Sequence, residues 1–326
     1  MIECLAPDIY RIGVRLPDSP LKELNAYLLR GTERDLLIDT GFRQPECRES
    51  LLSSLAQLNV IPDRLDVANT HLHADHTGLN LHVIGESSRI YIHEKDLAYL
   101  HTAVSEFNIR KSNERFLAEG YPREVLALSD KINPATKRLV ERVDERFQAI
   151  TQQDRLRVGR YALQPVFVPG HTPGHMMLWE ESTGIMFTGD HVLFDISPNI
   201  AYWHGIEDSL GDYLQSLRRA AAYPVRMALP GHRGSGDYHE RIHALLRHHE
   251  KRLHEVFSIV EQTPGASAYE IAGKMSWRIR CDGWDSFPPA QKWFAMGECL
   301  SHLDHLRLCG RLRRTKEDIR RYYAAD

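Results

Sequence analysis

Thr70-His71-Leu72-His73-Ala74-Asp75-His76-Thr77-Gly78 is the stretch on which the reading of this chain turns. Three histidines and one aspartate fall within six consecutive residues, too many metal-capable side chains in too little chain for an ordinary surface loop. The preceding LDVAN (65–69) is mostly apolar, as a buried strand requires, and Gly78 follows as a turn residue. A loop leaving a strand end can turn all four side chains toward one point. Imidazole nitrogens and carboxylate oxygens together suit zinc, iron, manganese or cobalt, and a cluster this dense can hold more than one ion.

Outward from that stretch, the chain alternates strand and helix signals. IYRIGVRL (9–16), NAYLLRG (25–31) and DLLIDTG (35–41) read as strands separated by Pro, Asp and Gly turns. Residues 45–58 carry Leu51, Leu52, Leu55 and Leu58 at helical spacing. RIYIH (89–93) is another strand, and HEKDLAYLH opens a helix. Residues 102–150 change character to polar helices with Phe107, Phe116, Tyr121 and Phe147, a helical insertion that would be either a solvated hairpin or a lid. Strands resume in YALQPVFVPG (161–170), MMLWE (176–180), GIMFTGD (184–190) and RMALPG (226–231), with helices over 209–222 and 238–261. Strand blocks flanked by helices predict an α/β architecture of two packed sheets covered by helices, over residues 1–245.

The remainder, 246–326, reads as a small separate helical domain. SAYEIAGKM and AQKWFAMGECLSHLDHLRLCG are helices, and LRRTKEDIRRYY is a two-stranded ribbon or a frayed helix, a winged-helix-like order. This tail holds fourteen Lys and Arg against eleven Asp and Glu, concentrated at Arg311, Arg313, Arg314, Lys316, Arg320 and Arg321. A packing or dimerisation role, giving a homodimer, is the first reading and a nucleic-acid contact the second.

Bulk composition excludes several classes. At 326 residues, 42% hydrophobic and 26% charged, the chain has the apolar material for a substantial core. A net charge of −3 gives no global attraction to nucleic acid or anionic membrane. No stretch approaches the ~20 apolar residues of a membrane span, and MIECLAPDIYRIG lacks a basic segment leading into an apolar run, so the expected compartment is the cytoplasm. Cys4, Cys47, Cys281, Cys299 and Cys309 are scattered without CxxC pairing, which fits reduced thiols.

Three later segments fit the scheme of the first cluster: VPGHTPGH with His171, FTGDH with Asp190, and LPGH with His232. Each ends an apolar strand beside glycine, where backbone must turn tightly. HxHxDH, the later PGHTPGH, TGD and PGH, in this order, resemble the metallo-β-lactamase superfamily in its glyoxalase II-like hydrolase branch, over residues 1 to about 245. The resemblance implies an αββα sandwich with a dinuclear site at one edge. It implies that His71, His73 and His171 hold a first metal, that Asp75, His76 and His232 hold a second, and that Asp190 bridges them. It also implies two divalent ions, zinc first, with iron or manganese as alternatives. Asp39 in LLIDTG matches the family's supporting aspartate, which suits the need of a histidine ligand for a partner at its other ring nitrogen. His175 and His191 adjoin these motifs as supports rather than ligands.

The expected function is metal-dependent hydrolysis of a thioester or other acyl ester by a hydroxide bridging two metals, with Asp75 both ligating and orienting it. Two alternatives share the site: a phosphodiesterase acting on single-stranded RNA, and a mononuclear iron oxygenase acting on persulfides. Phe107, Phe116, Phe194, Tyr202 and Trp203 are equally readable as pocket lining or as core.

Overall fold

A computed structural model of the chain describes residues 1–104, 107–132, 138–279 and 281–325. Strands β1 (Ile2–Ala6), β2 (Ile9–Arg15), β3 (Glu23–Leu29), β4 (Asp35–Ile38), β5 (Leu65–Ala68), β6 (Ile90–His93) and β7 (Phe147–Ile150) form a seven-stranded sheet in sequence order. Pairing is antiparallel from β1 to β4 and parallel from β4 to β7. Parallel strands need crossovers. These are α1 (Pro45–Gln57), then α2 (Ala74–Thr77) and α3 (Asn80–Val83), then α4 (Glu94–Val104), α5 (Phe107–Ala118) and α6 (Arg123–Ile132).

A second sheet follows, built from β8 (Leu156–Val158), β9 (Tyr161–Phe167), β10 (Met176–Glu180), β11 (Ile185–Gly189) and β12 (Met227–Pro230), in the order β12-β11-β10-β9-β8. Only β11 and β12 run parallel, and α7 (Ser209–Ala220) lies between them in sequence. The two sheets share one apolar cluster. Ile9, Tyr27, Leu29, Leu36 and Ile38 from the first meet Leu163, Met176, Leu178, Ile185 and Phe187 from the second. Every residue of β4, β5, β10 and β11 is buried, which is why these strands read as nearly unbroken apolar runs. Helix α1 buries Cys47, Leu51 and Leu55 and packs on β2, while α4 packs on β6 and β7. The result is the αββα sandwich of the metallo-β-lactamase fold.

The chain divides into two compact units. The first comprises residues 1–105, 134–198 and 216–242 and contains both sheets. The second comprises 106–133, 199–215 and 243–326. Its elements include most of α8 (Tyr238–Gln262), α9 (Ala268–Lys274), α10 (Pro289–Leu308) and a ribbon of β13 (Leu312–Arg314) against β14 (Tyr322–Ala324). A Ser267/Glu270 capping box starts α9. The core of this unit gathers Phe116, Tyr121, Val256, Ile271, Met296, Leu300 and Tyr322, with Tyr202 packed against it.

Three strands are absent from the sequence reading: β1, β7 and β8 are three to five residues long, too short to display a strand period. The helical reading of 102–150 is therefore corrected at its end, because Phe147–Ile150 pairs with β6 as an edge strand. Phe116 and Tyr202 serve the core of the second unit.

Phe187 is fully buried between the sheets and meets Tyr27 edge-on at 5.3 Å. Phe187→Ala should lower stability by about 3–5 kcal/mol, read from guanidinium unfolding followed by circular dichroism. An unchanged midpoint would contradict this core.

Candidate metal centre

The predicted residues lie just beyond the C-terminal ends of β4, β5, β9, β11 and β12, in loops except for Asp75 and His76, which fall in the short helix α2. Asp39 follows β4, His71 to His76 follow β5, His171 follows β9, Asp190 follows β11 and His232 follows β12. All except His73 are buried, and His73 is half-buried. Three groups have ligand atoms within 4.8 Å of one another: His71, His73 and His171; His71, His76 and Asp190; and Asp75, His76 and His232. All seven residues proposed from the sequence as ligands are therefore brought together.

The donor atoms of the cluster converge at short range. His76 Nε2 faces Asp190 Oδ1 at 3.6 Å, beyond hydrogen-bond reach, and both atoms are buried without a hydrogen-bond partner among the described residues. His232 Nε2 lies 3.3 Å from Asp75 Oδ2 and 3.6 Å from Asp190 Oδ2. His171 Nε2 lies 3.8 Å from Asp190 Oδ2, and His71 Nε2 lies 3.0 Å from His73 Nδ1. Soft-to-borderline nitrogen donors with hard carboxylate oxygens form a donor set that fits zinc, iron or manganese.

Ring orientation is fixed from behind. His76 Nδ1 is 2.8 Å from Asp39 Oδ2, His232 Nδ1 is 2.8 Å from the Glu23 carbonyl, and His71 Nδ1 is 3.0 Å from Thr70 Oγ1. In each case Nε2 is left for the centre. Asp39 also accepts from Thr70 N at 2.9 Å and Thr70 Oγ1 at 2.7 Å, and it adopts a left-handed φ of 61°. Such a conformation is costly for a non-glycine residue and persists where surrounding bonds hold it. Glycine is required at 231, since a Cβ there would lie 2.5 Å from Asp190 Oδ1 and 3.0 Å from His76 Cε1.

The electrostatics agree. Burial alone would push His76 down, but Asp39, Asp190 and Asp75 around it raise it to about 10. His232 is raised against its burial by Asp190 and Asp75. Asp75, which burial would raise, is held below the usual carboxylate range by His76 and His232. Burial and neighbouring imidazoles lower His71, and burial with His171 brings His73 to about 3, so both are neutral and able to ligate at pH 7. The buried carboxylates thus hold a proton on the His76 and His232 side of the cluster, while His71 and His73 stay neutral on the other.

His175 does not join the donor groups. Its Nε2 accepts from Asp190 N at 3.1 Å, and its ring stacks on His71 with centroids 4.9 Å apart. His191 is likewise buried behind the centre. Sequence reasoning missed Asn25 and Tyr27, which fasten the loop before His232. Asn25 donates to the Pro230 and Arg233 carbonyls at 3.0 and 2.9 Å, and Tyr27 donates to Pro230 at 2.7 Å. A buried Asn inside the apolar strand NAYLL was the available signal. Asp96 was missed too: fully buried in the first turn of α4, it accepts from Leu72 N, Thr172 Oγ1 and Gly174 N. Nothing distinguished it from an ordinary acid at a helix start.

Known proteins share this chain's family and fold. The sequence model of the metallo-beta-lactamase superfamily matches residues 23–232. The probable metallo-hydrolase YqjP of Bacillus subtilis is 26% identical over 314 residues, covering 90% of this chain and 91% of that protein. The atrochrysone carboxyl ACP thioesterase of Aspergillus fumigatus is 30% identical over 235 residues, covering 71% of this chain and 58% of that protein. The chain spans about 60% of the length of several fungal relatives, including 63% of the lactamase-like protein aptB of Emericella nidulans. Among solved structures, the metallo-beta-lactamase family protein TTHA1429 of Thermus thermophilus superposes with a TM-score of 0.84 at 28% identity. That match covers 98% of this chain and 100% of that one.

Gly231→Ala should deplete bound metal severely while preserving secondary structure. Elemental analysis with circular dichroism checks this, and full metal content in a folded variant would refute the close approach.

Proposed function

Since the chain belongs to the metallo-beta-lactamase superfamily, we propose that it is a metal-dependent hydrolase that cleaves a thioester, or a related acyl ester, of a small-molecule substrate at a dinuclear zinc centre. The observation that carries the dinuclear reading is that the donor groups are distinct yet overlapping. His71, His73 and His171 would hold one ion, and Asp75, His76 and His232 the other. Asp190 would serve both, because its two oxygens face His76 on one side and His171 and His232 on the other. When bound, such cations bring the pKa of water to about 7 and offset charge developing on a carbonyl oxygen.

The protein's own contribution is orientation and charge. Asp75 stays ionised beside His76 and His232, so its carboxylate can accept a hydrogen bond from the attacking water and aim a lone pair at the substrate carbon. Asp39 and the Glu23 carbonyl keep His76 and His232 from rotating during that attack. A thiolate leaves with little protonation, because ordinary thiols have a pKa near ~8.5. The centre therefore needs no dedicated acid for a thioester, whereas an amide would demand one. A fungal relative named for action on an acyl-carrier thioester supports the same bond class.

The phosphodiester alternative loses its main support in the second unit. Arg314 pairs with Glu119 and Asp304, Arg320 with Glu119, and Arg321 with Glu270. Arg311 and Arg313 lie over the rings of Phe257 and Tyr323. Much of the basic ribbon is therefore committed to its own unit, rather than available to a strand of RNA. The order of α9, α10 and the β13–β14 ribbon supports a winged-helix-like reading of residues 246–326 as a packing module.

A panel of acyl thioesters, lactones and phosphodiesters assayed with elemental analysis tests the proposal. The expected result is two metal equivalents and turnover of thioesters, with His71→Ala and Asp190→Ala each losing metal and at least ~10³-fold in kcat/KM. Full activity after exhaustive chelation, or one iron with oxygen uptake, would refute it.

A further inference from the structure

The two loops that carry His71, His73 and His171 meet at a residue that is not itself a ligand. Asp96 lies in the first turn of α4, immediately after β6, with its carboxylate completely buried. Oδ2 accepts from Leu72 N at 2.9 Å and from Thr172 Oγ1 at 2.7 Å, while Oδ1 accepts from Gly174 N. Leu72 separates His71 from His73, and Thr172 adjoins His171. One carboxylate thus ties the backbone between two ligands to the residue beside the third. The approach is close enough to dictate sequence: a Cβ at position 174 would lie 2.4 Å from Asp96 N, which accounts for the second glycine of PGHTPGH.

Among the described residues, this carboxylate's hydrogen-bond partners are a hydroxyl and two backbone amides, with no cation. Burial pushes Asp96 up to about 7, and those three donors pull against the burial. The helix N-terminus at α4 also favours the anion. A group kept charged-capable in an apolar interior at that cost is poorly explained as filler, since an apolar side chain there would leave Leu72 N and Gly174 N unpaired instead.

We propose that Asp96 is a positioning residue that sets the geometry of the His71, His73 and His171 ion site selectively, by clamping the two ligand loops together. It does not touch the second group, Asp75, His76 and His232, whose orientation comes from Asp39 and Glu23. The proposal rests on the dinuclear reading above. It predicts an asymmetric effect that general destabilisation would not produce. Asparagine is nearly isosteric but can accept through only one of its two terminal atoms, so it must turn its NH2 toward at least one of the three donors.

The test is a titration of the metal-free full-length protein with Zn2+ against a chromophoric chelator, with His171→Ala and His232→Ala assigning the two binding steps. Asp96→Asn should weaken the step assigned to His171 by about tenfold or more, the range typical of a lost outer-shell partner, and leave the step assigned to His232 unchanged. Thr172→Val should weaken the same step by less, and should add little when combined with Asp96→Asn, because both act through one carboxylate. Equal weakening of both steps, or no change in either, overturns the proposal. If Asp96→Asn does not fold, Thr172→Val decides alone, and an unchanged affinity there overturns it. Absence of two steps in the unsubstituted protein would instead refute the dinuclear reading.

Discussion

Three carboxylates, those of Asp39, Asp75 and Asp190, are buried around His76 at one edge of an apolar sandwich. Removing that much negative charge from water is expensive unless a positive charge is brought in with it. In the protein alone His76 answers by holding its proton to about 10. A bound cation would offset the same charge, with Nε2 of His76 and Oδ1 of Asp190 among the atoms able to hold it. Much else in the sandwich follows from keeping this charge concentrated. The backbone at Asp39 is held in a left-handed conformation by its bonds to Thr70, and position 231 must be glycine.

The scaffold makes that concentration tolerable by placing every ligand at a strand end. Strands β4, β5 and β11, which lead into Asp39, His71 to His76 and Asp190, are buried throughout and cannot shift without exposing apolar surface. Fine adjustment comes from polar residues behind the ligands. Asn25 and Tyr27 hold the loop before His232, His175 holds the amide of Asp190, and Asp96 joins the loops on either side of His71 and His171. The ligand atoms are thus set by two layers of constraint, one apolar and one hydrogen-bonded.

The parts legible in the sequence are those with a local signature. THLHADHTG, PGHTPGH, TGD and PGH each announce a ligand beside a glycine, and the long apolar strands announce the sheets. What escaped notice had no such mark. Strands β1, β7 and β8 are short and gain their identity from the neighbours they pair with. Asp96 has the sequence of an ordinary first-turn acid, and only its burial 24 residues downstream of Leu72 gives it a partner. Counting charges from Arg311 to Arg321 could not reveal that Glu119, Asp304 and Glu270 pair with Arg314, Arg320 and Arg321.

The span of chain from Asp39 to His232 has a bearing on how the protein comes into being. No subset of neighbouring residues contains a complete site, because THLHADHTG lacks His171, Asp190 and His232. These contacts are of long sequence separation, the kind that form late in folding and raise its barrier. A site complete for two ions would therefore exist only once β12 has joined β11. Two ions held by all seven residues would be captured by a nearly finished protein, and the metals available at that moment would decide which is taken up.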